Sequence, residues 1–215
     1  MHEAFHIDGE LGLIPPSSDS LNQVASEVTP EDLEDPGLEA TIEAMLQIAQ
    51  GEQGNPEKPT LVGLAAPQIG ISKRIILVGV DATGKGEKPT FQIFINPVIV
   101  KRSEETVLSR EGCYSTSQVC GIVERAKDIT IAALDRSGAK LEETYEGSAS
   151  GFPSNIFQHE IDHLDGIRIP DRIENKERLQ WVEPEEFGDY REHWEHWPNL
   201  CSREKWEAIK HGNET

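Results

Sequence analysis

The sequence predicts an α+β fold in which short antiparallel strands pack around a central helix carrying an HExxH motif, with a helical C-terminal extension. Three observations predict it. Runs rich in β-branched residues occupy 74–80 (RIILVGV) and 92–100 (QIFINPVIV). Asp128 to Leu134 (DITIAAL) alternates at period two and is followed, across a turn at 135–138, by the segment LEETY at 141–145. After Gly151 the period becomes helical, with Phe152, Ile156, His159 or Glu160, and His163 recurring on one face.

In chain order, the first twenty residues read as a loose segment, because Pro15, Pro16, Ser17 and Ser18 form a breaker cluster. A helix is expected from Thr29, with Thr29 as cap, Pro30 in the first turn, and Glu31 and Asp32 at its positive end. Pro36 and Gly37 should end or interrupt it. A second helix is expected from Leu38 to Ala49, with Leu38, Ile42, Met45, Leu46 and Ala49 on one face. The stretch 51–59 (GEQGNPEKP) reads as a loop. Asn96-Pro97 places a breaker inside the second β-rich run, which therefore reads as an edge strand or as two pieces. Residues 21–175 form the expected catalytic domain. Residues 176–215, where charge alternates with Trp181, Trp194, Trp197 and Trp206, form an acidic helical extension packed on it.

With 215 residues the chain suits one well-filled domain. Its 20 basic and 39 acidic residues leave a net charge of −19. Such acidity argues against gripping nucleic acid, whose affinity comes mainly from Lys and Arg neutralising phosphates. No run approaches the roughly 18 apolar residues a membrane span needs. Lys58 is the single Lys or Arg in the first sixty residues, so neither a secretory signal nor an Arg-rich transit peptide is legible. The expectation is a cytoplasmic monomer, or an organellar one if a leader once preceded this chain. Cys113, Cys120 and Cys201 are odd in number and sparse, which is not a disulfide framework.

The chemistry concentrates in Gln158-His159-Glu160-Ile161-Asp162-His163. Two histidines at i and i+4 share a helix face and can ligate one metal ion, and the glutamate between them is placed to take a proton from a water on that metal. Two surface histidines on a polar helix would give the same pattern. A catalytic metal needs a third protein ligand. The HExxHxxGxxH pattern fails, since Gly166 is present but Ile169 stands where its last histidine belongs. Downstream acids (Asp171, Glu174, Glu177) and a thiolate at Cys113 stay open as the third ligand, while Cys120 and Cys201 read as structural.

Three ordered boxes narrow the choice: GLAAPQ at 63–68, EGCYS at 111–115 and QHEIDHLDG at 158–166, with Ile95-Asn96-Pro97 between the first two. Together they resemble the peptide deformylase family. The resemblance implies a metallohydrolase that removes the N-formyl group from the N-terminal methionine of newly made peptides. It implies Cys113, His159 and His163 as ligands of one divalent metal ion, natively Fe²⁺, and Glu160 as catalytic acid/base. It also implies the Gln68 side chain and the Tyr114 backbone N–H as oxyanion donors. Gly63 and Gly112 would offer backbone groups to the substrate, Phe152 and Ile156 would line the methionine pocket, and Glu111 would partner Arg125. A sulfur and two imidazoles also accommodate Zn²⁺, Ni²⁺ or Co²⁺.

Leu61 and Tyr114 stand where the family usually has glycine and leucine, which motivates a second reading as an amidase of another small formamide. A zinc protease with an acidic third ligand, and a domain that only binds a partner, are further alternatives. The Cys113 box disfavours the first of these, and the retention of Glu160 and Gln68 disfavours the second.

Overall fold

The computed structural model describes residues 5, 12–53, 61–83, 88–147 and 152–213. Its first long element is α1 (Pro36–Gln53), and here the expected boundary is corrected. Thr29 and Asp32 do exchange cap bonds, each backbone N–H donating to the other's side chain at 2.9 and 3.2 Å. They cap only a 3-10 turn at Asp32–Glu34. Asp35 precedes a proline and is extended, which stops that turn. Pro36 then opens α1, where a missing N–H costs nothing, and the Asp35 carboxylate accepts the Gly37 N–H at 2.7 Å. Helix runs on through Gln53, into the stretch read as a loop; residues 54–59 of that stretch lie outside the described residues.

A five-stranded antiparallel sheet comprises β1 (Gly63–Ala65), β2 (Ile75–Gly79), β3 (Phe91–Arg102), β6 (Ile129–Leu134) and β7 (Lys140–Tyr145), in that spatial order. Between them in sequence lie β4 (Thr106–Glu111) and β5 (Val119–Ala126), which form a second, three-stranded sheet with β8 (Leu179–Trp181). The helix α2 (Phe152–Leu164) follows β7 and carries Gln158 to His163.

The 74–80 run is apolar throughout because β2 is buried on both faces. Ile75 and Leu77 pack with Ile42 and Met45 of α1, while Ile76 and Val78 pack with Ile156, Phe157 and Ile161 of α2. The Phe94 and Phe157 rings meet edge to face at 4.7 Å on that second side.

The expectation for Asn96-Pro97 is also corrected. β3 is one twelve-residue strand at the middle of its sheet, neither an edge nor two pieces. A register shift between Ile95 and Val98 absorbs the missing Pro97 donor, and Asn96 takes a positive φ of 51°. Its side chain replaces the lost ladder by exchanging two 2.8 Å hydrogen bonds with the Val28 backbone.

Gly166 ends α2. It adopts φ +70°, and a Cβ there would stand 2.7 Å from the Asn22 carbonyl oxygen. This lets the N-terminal segment cross the end of the helix, where the Ala25 N–H donates to the Leu164 carbonyl at 2.8 Å. The segment read as loose is likewise tied down where it is described: the Ile14 N–H donates to the Gln68 carbonyl at 2.9 Å.

The last forty residues hold a strand, β8, as well as helices α3 (Phe187–His193) and α4 (Arg203–Lys210), so Trp181 sits on a strand. Trp206 and Ile209 of α4 pack on Val119, Ile169 and Leu179, and Tyr190 packs with Cys120 and Val182. Among the described residues no helix is long and apolar enough to cross a membrane.

Candidate active and metal site

Two elements converge to make the site. α2 presents His159 and His163 one turn apart, their rings 5.0 Å between centroids. β4 ends at Glu111, and after Gly112 the chain bends into a 3-10 turn at Tyr114–Thr116, which turns Cys113 toward the helix. Cys113 Sγ lies 3.3 Å from His163 Nε2, and one ligand atom from each of Cys113, His159 and His163 falls within 4.8 Å of the others. Donors around a tetrahedral ion with metal–sulfur near 2.3 Å and metal–nitrogen near 2.0–2.1 Å stand roughly 3.3–3.7 Å apart. The Cys113–His163 separation already matches that spacing, and the three donors together could hold one divalent cation. Burial opposes ionisation of Cys113, but the two imidazoles outweigh it and hold the thiol well below its ordinary pKa, in the form that ligates.

A buried network orients these groups. His159 Nδ1 donates to Glu111 Oε2 at 2.9 Å, which leaves Nε2 for the cluster. Burial pushes the Glu111 carboxyl up, yet Arg125 and His159 overcome it and hold it at about 2. Arg125 grips Glu111 with a bidentate pair at 2.7 and 2.8 Å and reaches Asp162 at 2.6 Å. Arg172 closes on the same Asp162 from the turn after α2.

Glu160 differs from its neighbours. It is buried, its Oε2 has no hydrogen-bond partner among the described residues, and burial pushes its carboxyl up to about 7. Gly63 backs it: a Cβ there would stand 2.4 Å from Glu160 Oε1 and 2.8 Å from Ile156 Cγ2. A glycine in β1 is thus what lets the carboxylate lie against the sheet.

Gln68 is turned by its own loop. Its Oε1 accepts the Ala65 N–H at 2.8 Å, so its NH₂ faces Cys113 Sγ at 3.3 Å and Ser115 Oγ at 3.2 Å. Arg168, 1% exposed, donates to the Ser115 and Pro16 carbonyls and fixes the turn behind Cys113. Cys120 is buried with its thiol pushed up to about 12 by burial, and Cys201 is buried in the extension.

A cavity of about 510 Å³ opens onto this cluster. Gly63, Gln68, Gly112, Cys113, Tyr114, Phe152, Ile156, His159 and Glu160 all line it, so the structure brings the expected site residues together; His163 completes the cluster from beneath. Leu61 lines the same cavity.

Sequence reasoning missed part of the surroundings. Asp162, adjacent to His163 inside the third box, was the legible signal for the Arg125–Arg172 link. Ser115 lay inside the second box. Pro184, Phe187, Tyr190 and Arg191 supply a wall of the cavity from the extension, and no local motif marks them.

Comparison with known proteins points to one family. The model of the family described as polypeptide deformylase matches residues 13–179. A peptide deformylase of Thermotoga neapolitana is 38% identical over 145 residues, covering 67% of this chain and 77% of the relative. A class I type b peptide deformylase from Acinetobacter baumannii, solved with bound Met-Ala-Ser, is 32% identical with a TM-score of 0.65, covering 78% of this chain and 100% of that one. The Thermotoga maritima peptide deformylase structure is 32% identical with a TM-score of 0.64, over 78% and 100% of the two chains.

Proposed function

The chain belongs to the polypeptide deformylase family, and we propose that it hydrolyses the N-formyl group from the N-terminal methionine of newly made peptides, releasing formate. The observation that carries this reading is the buried Glu160 carboxyl, its Oε2 without a partner among the described residues, beside the Cys113, His159 and His163 cluster. Those three residues would hold one divalent metal ion, Fe²⁺ in the native protein. Bound there, the ion supplies Lewis acidity, which brings the pKa of water toward about 7 and polarises a carbonyl oxygen.

The chain's own residues do the rest. Glu160 accepts a proton from the attacking water as its oxygen adds to the formyl carbon. The same carboxyl delivers that proton to the amide nitrogen as the C–N bond breaks, leaving formate and a free amine. Burial, which pushes the Glu160 carboxyl up, favours a group that can both take and give a proton. The Gln68 NH₂ and the Tyr114 backbone N–H donate to the oxygen that becomes negative, each such donor contributing on the order of 3 kcal/mol. Backbone groups of Gly63 and Gly112 hold the peptide chain, and Phe152 and Ile156 flank the methionine side chain.

The Acinetobacter relative binds Met-Ala-Ser, a deformylated product by its sequence, which supports a peptide substrate here. The proposed catalytic residues all come from one chain, and we assign the activity to a monomer acting in the cytoplasm, or in an organelle if a leader once preceded this chain. Leu61 and Tyr114 at the cavity support the second reading, an amidase for another small formamide. The test is release of formate, with a new primary amine in equal amount, from formyl-Met-Ala-Ser by protein purified anaerobically with iron. Turnover of small formamides with none of the peptide would favour the second reading.

A further inference from the structure

Arg110 of β4 and Arg191 of α3 line the same cavity, each from a different element. Among the described residues neither guanidinium pairs with a carboxylate, although the chain carries 39 acidic residues against 20 basic ones. The neighbouring acid, Glu111, also lines the cavity, but both of its oxygens are already engaged by Arg125 and His159. Burial, and then the Arg191 charge, disfavour the charged form of Arg110, and Tyr190 and Cys120 offset this only in part. The helix that carries Arg191 is anchored to the sheet. Tyr190 beside it is 1% exposed and donates to Gln180 Oε1 at 2.7 Å, which fixes α3 on β8. Two half-buried cations kept together without a counter-charge make a site that an anion completes.

The position of the pair says where that anion sits. Arg110 precedes Cys113 by three residues, so their Cα atoms are at most about 11 Å apart. An extended peptide advances roughly 3.3–3.6 Å per residue, so the second and third residues of a substrate fall within that span of its formylated end.

We propose that Arg110 and Arg191 form a carboxylate-binding subsite that makes this enzyme prefer formyl-methionyl peptides with an acidic residue in second or third place. This rests on the deformylase reading above and adds to it the class of peptide preferred.

The test is kcat/KM on C-terminally amidated formyl-Met-Ala-Ser and on its Asp- and Lys-substituted forms at positions two and three. The Asp peptides should exceed the neutral one by about five- to tenfold and the Lys peptides should fall below it, with the differences shrinking as salt is raised. Arg191→Glu should invert the order and Arg191→Lys should keep most of it; Arg110→Gln, on the other element, should halve or better the Asp preference. Comparing the amidated neutral peptide with its free acid separates a terminal carboxylate from a side-chain one as the anion. Equal processing of all amidated peptides overturns the subsite while formate release preserves the deformylase reading. Absence of formate from every peptide overturns both.

Discussion

The His159 Nδ1–H donates to Glu111 Oε2 across 2.9 Å, and Glu111 is in turn held by both arms of Arg125. One buried carboxylate therefore sets the tautomer of a metal-facing histidine and joins the β4–β5 sheet to α2. Glu111→Gln keeps the shape but removes the charge that both neighbours need. Metal affinity should fall about 10- to 100-fold, read by competition with a chelator of known strength. Unchanged affinity would mean that the ring is oriented by packing alone.

Cys113 and Cys120 lie seven residues apart and have opposite surroundings. The first faces two imidazoles, and the second is a buried thiol under Gly112, whose Cβ position is 3.0 Å from Cys120 Sγ. Cys113→Ala should lose metal and activity together, while Cys120→Ala should keep both. Metal analysis of the two purified variants decides it, and the reverse pattern would move the ligand to Cys120.

These residues also mark how much the sequence could reveal. The boxes at 63–68, 111–115 and 158–166 are local, because a histidine pair on a helix and a cysteine at a strand end need only their own neighbours to be recognised. Pro36 was misread since one proline can end a helix or begin one, and the choice rested on Asp35 being extended. Asn96-Pro97 looked like a strand breaker because its rescue comes from Val28, sixty-eight residues away. The wall from Phe187 to Arg191 was invisible for the same reason: aromatic spacing says that a helix packs, not that it packs beside a site.

The Asp32–Lys73 pair, 2.6 Å apart with both residues buried, gives an acid-stability prediction. Burial raises the Asp32 carboxyl, but Lys73 and Thr29 outweigh it and leave its pKa lowered. A lowered folded pKa means that the stabilisation is present above the ordinary carboxylate value near 4 and is lost as pH falls through the folded one. Asp32→Ala strands a buried ammonium and should cost about 3–5 kcal/mol at pH 7 in urea unfolding. The gap between variant and wild type should narrow as pH falls below the ordinary carboxylate value near 4 and through the lowered folded one. A gap independent of pH would assign the loss to packing.

Ile156, buried in α2, touches the space beside Gly63 and lines the cavity with Phe152. An unbranched thioether packed there gains about 1.5–3 kcal/mol, so formyl-Met peptides should exceed formyl-Ala peptides by about tenfold or more in kcat/KM. Ile156→Ala should erode that ratio and leave metal content unchanged. Equal rates for the two peptides in the wild type would remove both residues from the pocket.

Glu160 is the test of the whole account, because it is buried beside the metal cluster yet placed as proton carrier rather than ligand. Wild type and Glu160→Ala, both prepared anaerobically with iron, are to be compared for metal content and for formate released from formyl-Met-Ala-Ser. The account predicts roughly one metal per chain in both proteins. It also predicts at least a hundredfold loss of formate release in the variant. Loss of the metal from the variant, or formate release at the wild-type rate, would contradict it.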